Sequence, residues 1–216
     1  MKHFQRLITL HLLTASLFVL CNSAFFAHAA SAPRSQRIVS LAPSVTETLF
    51  ALGFGNRVVG VTTYCDYPAE ARKLPKIGGF MNPSLEAVVA KRPDFVIGVS
   101  SATDPVKARE MERLGLKVTL ISLASVNDIL SSIKSIARLL GSPEAGEKLV
   151  DKITLQFDEI KKRVASAPRR TTLLAVGLRP LVVVGGKNFI NELIFLAGGE
   201  NIAGNADQPW LKLPDE

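Results

Sequence analysis

The stretch TTYCDYPAE, residues 62–70, gathers both tyrosines of the chain, Tyr64 and Tyr67, around Cys65 and Asp66. A phenol, a thiol and a carboxylate at this spacing could ligate a metal, supply a nucleophile or line a ligand site. The rest of the chain narrows the choice. A zinc site wants further cysteines or histidines, and a cysteine nucleophile wants a histidine beside it. The three histidines (His3, His11, His28) and the second cysteine, Cys21, all fall within the first 29 residues.

Those 29 residues read as a secretory leader. Lys2 and Arg6 precede an apolar run over residues 7–26, and Ala27-His28-Ala29 follows. A basic start, an apolar centre and an A-x-A end mark a signal peptide, with cleavage expected after Ala29. An uncleaved anchor is the alternative, since the run is near the length of a membrane helix. Cys21 follows Leu20 rather than the small residue a lipoprotein needs. Cleavage would remove every histidine and leave Cys65 alone. That excludes an intrachain disulfide, histidine-based zinc, a Ser-His-Asp triad and a Cys-His pair. No G-x-S-x-G elbow or G-x-x-x-x-G-K loop is present either, so no catalytic residue and no metal ligand is assigned. Cys65 is expected to be structural, and Tyr67, preceding Pro68, to pack its loop.

The formal charge of +7 drops by two when Lys2 and Arg6 leave. No basic run interleaved with aromatics follows, so nucleic acid is not an expected partner. The elements that must position Tyr64 are legible as an α/β pattern. Short apolar runs over residues 37–41, 57–61, 94–98 and 117–121 read as strands buried on both faces. Helical segments separate them. Ser44 with Glu47, and Ser125 with Asp128, read as capping boxes, and Asp104-Pro105 as a cap followed by a first-turn proline. This alternation predicts a mostly parallel sheet flanked by helices.

From Ser142 the pattern changes. A helix is predicted to about Ala165, roughly 35 Å long at 1.5 Å per residue. Leu149, Ile153, Phe157, Ile160 and Val164 mark one apolar face. It reads either as a surface helix or as a strut between two lobes. Strands over 172–177 and 181–184 and a helix over 188–197 follow. The glycine pairs 78–79, 185–186 and 198–199 read as turns. About 48 residues after Pro168 are few for a lobe of its own, so the second lobe is expected to be incomplete.

The segments RIVSLAPSVTETLFALG, RVVGVTTYCDYP, KIGGFMNPSLEAVVAKRPDFVIG and FLAGGENIAG resemble the periplasmic substrate-binding proteins for cobalamin, haem and ferric siderophores, and within that group the cobalamin (vitamin B12) binders. The resemblance runs from Arg37 to Glu216. It implies two Rossmann-like α/β lobes joined by one long backbone helix, with a ligand in the cleft between them. The implied division is a signal peptide over 1–29, an N-terminal lobe over 37–141, a linking helix over 142–167 and a partial C-terminal lobe over 168–216. A single stiff helix implies limited lobe closure. The resemblance places Tyr64, Phe80 and Trp210 against the ligand, and it places Glu86 and Glu216 at the docking surface for an ABC-transporter permease and its ATPase. The implied protein is a periplasmic, monomeric, non-enzymatic carrier. Cobalamin, or a related corrinoid, is its transported ligand and not a catalytic cofactor. Departures from the cobalamin pattern fall at Val99, near Leu181 or Val182, and at Phe80, where a tryptophan is usual. Haem remains open through Tyr64, because a tyrosinate can be an axial iron ligand. A ferric siderophore remains open through Arg179, the basic residue placed nearest the cleft.

Overall fold

The computed structural model describes residues 36–214. The leader expected over 1–29 and the docking residue expected at Glu216 lie outside the described residues. The first half is a four-stranded parallel sheet of β1 (Ile38–Ser40), β2 (Val58–Val61), β3 (Phe95–Val99) and β4 (Val118–Ile121), in the order β2-β1-β3-β4. Ile38 pairs with both Val58 and Phe95. Successive side chains on a strand point to opposite faces, and the two faces carry separate cores. Ile38, Phe95, Ile97 and Val99 share one core with Val45, Leu49, Ile133 and Ile136. Val39 and Val96 share the other with Val88 and Met111. Two-sided burial is why β1, β2 and β3 read as unbroken apolar runs; β4, expected to be buried on both faces, lies at the sheet edge and is only partly buried, with Leu120 exposed.

Four helices supply those partners: α1 (Pro43–Ala51), α2 (Leu85–Ala90), α3 (Pro105–Arg113) and α4 (Val126–Leu139). Two, α3 and α4, begin with the caps the sequence predicts, and a third side-chain cap, at α2, is not among the predicted ones. The Ser84 side chain caps α2 and Asp104 caps α3, with Pro105 in the first turn. Ser125 and Asp128 close a reciprocal capping box on α4. The capping box expected at Ser44 does not form. Pro43 already occupies the first turn of α1, the extended residue is Ala42, and no side chain caps that end. Proline's fixed φ suits the first helical position, so the helix starts two residues early and Ser44 lies inside it.

Helix α5 (Pro143–Val164) has 22 residues and is about 33 Å long. Its ends suit the helix dipole, with Glu144 in the first turn and Lys161, Lys162 and Arg163 in the last. Gly146 and Val150 are its buried residues. A Cβ at Gly146 would sit 2.6 Å from the Ala137 Cβ, so the glycine permits close contact with α4. At the far end the Val164 side chain packs over Gly198.

The second half holds β5 (Arg170–Thr172), β6 (Ala175–Leu178), β7 (Leu181–Val184), α6 (Phe189–Leu196), β8 (Gly199–Asn201) and β9 (Trp210–Lys212). The strand expected over 172–177 is split between two sheets. Thr172 pairs with Asn201 in a parallel β5-β8 ladder, whereas Ala175 pairs with Val183 in an antiparallel sheet ordered β6-β7-β9. The α/β class with a long connecting helix holds, and the second half adds antiparallel pairing. Strands β8 and β9 have no counterpart in the sequence reading. No helix among the described residues is long and apolar enough to cross a membrane.

Candidate functional site

In the first sheet the chain leaves β1 toward β2 and returns across β1 to β3. The loops at the carboxyl ends of β1 and β3 therefore diverge, which is where open α/β sheets leave a crevice. Pro43 and Ser44 after β1, Ser100 and Ser101 after β3, and Ser122 after β4 line a largely apolar cleft of about 520 Å³. That volume lies within the usual range for small-molecule sites, about 300–1,000 Å³.

Tyr64 lines the same cleft and is 67% exposed. Its presentation depends on its neighbour. Cys65 is 1% exposed. Its sulfur lies 3.1 Å from Thr62 Oγ1 and 3.2 Å from Thr46 Oγ1. The Cys65 amide donates to Thr62 O, and its carbonyl accepts from Lys76 Nζ at 3.0 Å. With Cys65 drawn inward, the adjoining tyrosine turns outward. Cys65 is thus a buried anchor, as expected. Tyr67 departs from expectation: it is 66% exposed and does not pack the loop. Cys65, Lys76 and Arg72, whose Nε donates to Asp66 O, hold the loop instead.

Phe80 sits in the turn between Gly78 and Pro83, half-buried against the first core. The Thr63 amide donates to Gly78 O at 2.9 Å, tying this turn to the Tyr64 loop. Gly78 has φ +108°, and a Cβ there would lie 2.8 Å from the Ser84 amide nitrogen. Only glycine serves both demands.

The facing wall comes from the second half. Trp210, at the start of β9, is paired with Val184 and 44% exposed. It lines the cleft with Lys187, Asn188, Phe189 and Pro209. Lys187 is the one charged residue among the described residues lining the cleft, and it is ion-paired with Asp207. Beside the cleft, Glu192 of α6 accepts from the Val126 amide at 3.0 Å. A carboxylate at the positive end of α4 thus joins the two halves.

The structure therefore brings Tyr64, Phe80 and Trp210 to one cleft, although they come from three separate segments. Glu86 lies elsewhere, exposed in the first turn of α2. Val99 does line the cleft; Leu181 and Val182 do not. Arg179 is displaced from its expected place. It occupies the β6-β7 hairpin tip, in a groove with Leu178, Lys212 and Pro214. The cleft lies beyond the opposite end of β7, so the cation it meets is Lys187. The sequence reading missed the serines and Asn188. The serines follow predicted strands, so the rule on strand ends could have found them. Among the described residues no group of three histidine, cysteine or acidic side chains could hold a metal ion.

Residues 38–216 match the periplasmic binding protein family, and the chain belongs to that family. It is 26% identical over 182 residues to a vitamin B12-binding protein of Vibrio campbellii, an alignment covering 84% of this chain and 66% of that one. Identity is also 26%, over 185 residues, to a vitamin B12-binding protein of Yersinia pestis, covering 86% and 66%. The chain thus spans just under two thirds of the length of these relatives. Among solved structures it superposes on the periplasmic heme-binding protein RhuT from Roseiflexus sp. RS-1 with a TM-score of 0.74 and 30% identity, covering 83% of this chain and 71% of that one. The vitamin B12-binding protein BtuF of Vibrio cholerae gives a TM-score of 0.73 at 23% identity, with the same coverage, a likeness of fold alone.

Proposed function

We propose that the chain is the substrate-binding component of an ABC importer, exported to the periplasm, which captures cobalamin or a related corrinoid and delivers it to a membrane permease. The observation that carries this is the convergence of Tyr64, Phe80 and Trp210 on one apolar cleft between the two halves. A corrinoid is a broad macrocycle with an apolar body and a rim of uncharged amides. Aromatic faces grip the body through stacking and dispersion. Serine hydroxyls, each both donor and acceptor, suit the amides. A carboxylate rim would meet one cation among the described lining residues, Lys187, in an exposed ion pair with Asp207. Binding of this kind requires no catalytic residue. The protein acts as a monomer, and the importer's ATPase supplies the energy. Glu86 offers an exposed carboxylate to a permease arginine, a pairing that sets register as well as affinity.

Haem is the second reading, favoured by the exposed Tyr64 phenol and by the likeness to a heme-binding protein at 30% identity. A ferric siderophore loses its support with Arg179 outside the cleft. Calorimetric titration of the chain with cyanocobalamin, cobinamide and haemin tests both readings. Saturable heat with the corrinoids is expected. No corrinoid heat, together with a haemin Soret shift lost in Tyr64→Phe, would replace the corrinoid with haem.

A further inference from the structure

Asn188 is 6% exposed and its amide is used twice. Oδ1 accepts from the Ile190 amide at 2.9 Å, capping α6. Nδ2 donates to the carbonyl of Pro209 at 3.2 Å. That carbonyl also accepts from the Gly185 amide at 3.0 Å, and the next residue is Trp210. Two further asparagines sit behind this contact. Asn201 Nδ2 lies 3.0 Å from both Val184 O and Asn191 Oδ1, and Asn191 Nδ2 donates to Gly186 O at 3.2 Å.

The segment before Trp210 lies directly on the 185–186 turn. A Cβ on Gly185 would come within 2.1 Å of Gln208 O, and one on Gly186 within 2.2 Å of Gly204 O. Gln208, Pro209 and Trp210 are themselves exposed. Little side-chain burial fixes the indole, so its place depends on the three-residue strand β9 and on the bonds to Pro209 O.

We propose that Asn188 is a positioning residue: its amide fixes the Pro209 carbonyl and thereby sets the Trp210 ring across the cleft from Tyr64 and Phe80. The inference rests on the cleft being the ligand site. Capping alone does not require asparagine, because serine and aspartate cap equally well. Serine is too short to reach Pro209 O. Aspartate reaches it but sets an acceptor against an acceptor. Asparagine alone of the three can cap α6 and donate across to the loop.

Trp210 is the only tryptophan of the chain, so its emission reports the ring directly. Asn188→Ser and Asn188→Asp keep the cap and remove the donor. Asn188→Ser should unfold within about 2–4 °C of wild type, the loss of one neutral hydrogen bond in a chain of this size; Asn188→Asp, which also sets a buried carboxylate against the Pro209 carbonyl, should unfold lower than Asn188→Ser. Trp210 emission should shift to the red and acrylamide quenching should rise. Affinity for the tighter-binding of cyanocobalamin and haemin should fall about fivefold. Wild-type emission and quenching in both variants would overturn the proposal. So would altered emission with unchanged affinity, since the ring's placement would then not matter to binding. If wild type binds neither probe, the ligand reading fails, and emission alone decides whether Asn188 holds the ring.

Discussion

Replacing Cys65 by alanine tests whether the thiol is an anchor or a reacting group. The sulfur is buried beside Thr62 and Thr46. Thr46 keeps alternatives in Ser40 Oγ and Ala42 O, but among the described residues the sulfur is the one partner of Thr62 Oγ1. Cys65→Ala therefore strands the Thr62 hydroxyl in the interior, at about 1–3 kcal/mol, and leaves a small void worth about 1 kcal/mol. The sum, roughly 2–4 kcal/mol, is a large part of the 5–15 kcal/mol typical of a domain. At about 2–4 °C per kcal/mol for this chain length, the midpoint should fall by about 5–15 °C. Adding Thr62→Val removes the stranded hydroxyl, so the double variant should recover about 1 kcal/mol relative to additivity. Urea and thermal denaturation of the four proteins in this cycle measure both quantities. Ligand affinity should weaken only as far as the Tyr64 loop loosens. Unchanged stability with abolished binding would refute the anchor and make the thiol a ligand contact. Strict additivity would refute the Thr62 pairing.

Three further outcomes follow from the same geometry. Gly146→Leu forces a side chain against the Ala137 Cβ and the Lys134 Cα, which a Gly146 Cβ would meet at 2.6 and 3.2 Å. It should cost about 3 kcal/mol in urea unfolding, and a loss under 1 kcal/mol would contradict close α4–α5 packing. Gly78→Ala sets a Cβ at φ +108° against the Ser84 amide. About 1–3 kcal/mol of strain is expected, with weaker ligand binding as Phe80 shifts; wild-type affinity would show that the turn does not place Phe80. Glu86→Ala should leave ligand affinity within about twofold, since the residue lies outside the cleft, and should lower ligand-stimulated ATPase activity of a reconstituted importer by about tenfold. Unaltered stimulation would remove Glu86 from the docking surface.

The first half was legible because β1, β2 and β3 are buried on both sides and its helix starts carry local signals. Asp104 and Ser125 each form their cap within three residues, so sequence alone suffices. Ser44 misled because two signals overlapped, and the proline before it decided the outcome. In the second half the decisive pairings are long-range. Gly199–Asn201 is three residues with no alternating pattern, and its glycine suggested a turn; it becomes a strand only beside Arg170–Thr172. Arg179 could not be placed without knowing that residues 178–181 form a hairpin. Asn188 was readable as a helix start, but its second bond goes to Pro209, 21 positions away. Tyr64, Phe80 and Trp210 were legible only through family resemblance, since nothing local in their segments says that they share a cleft.

The central claim is that one guest lies between walls supplied by both halves of the chain. Trp210 emission during titration with cyanocobalamin, in wild type and in Tyr64→Ala, tests it most directly. Saturable quenching is predicted, with its midpoint raised about tenfold or more by removing an aromatic anchor on the opposite wall. Quenching that never saturates, or a midpoint indifferent to Tyr64, would contradict the account.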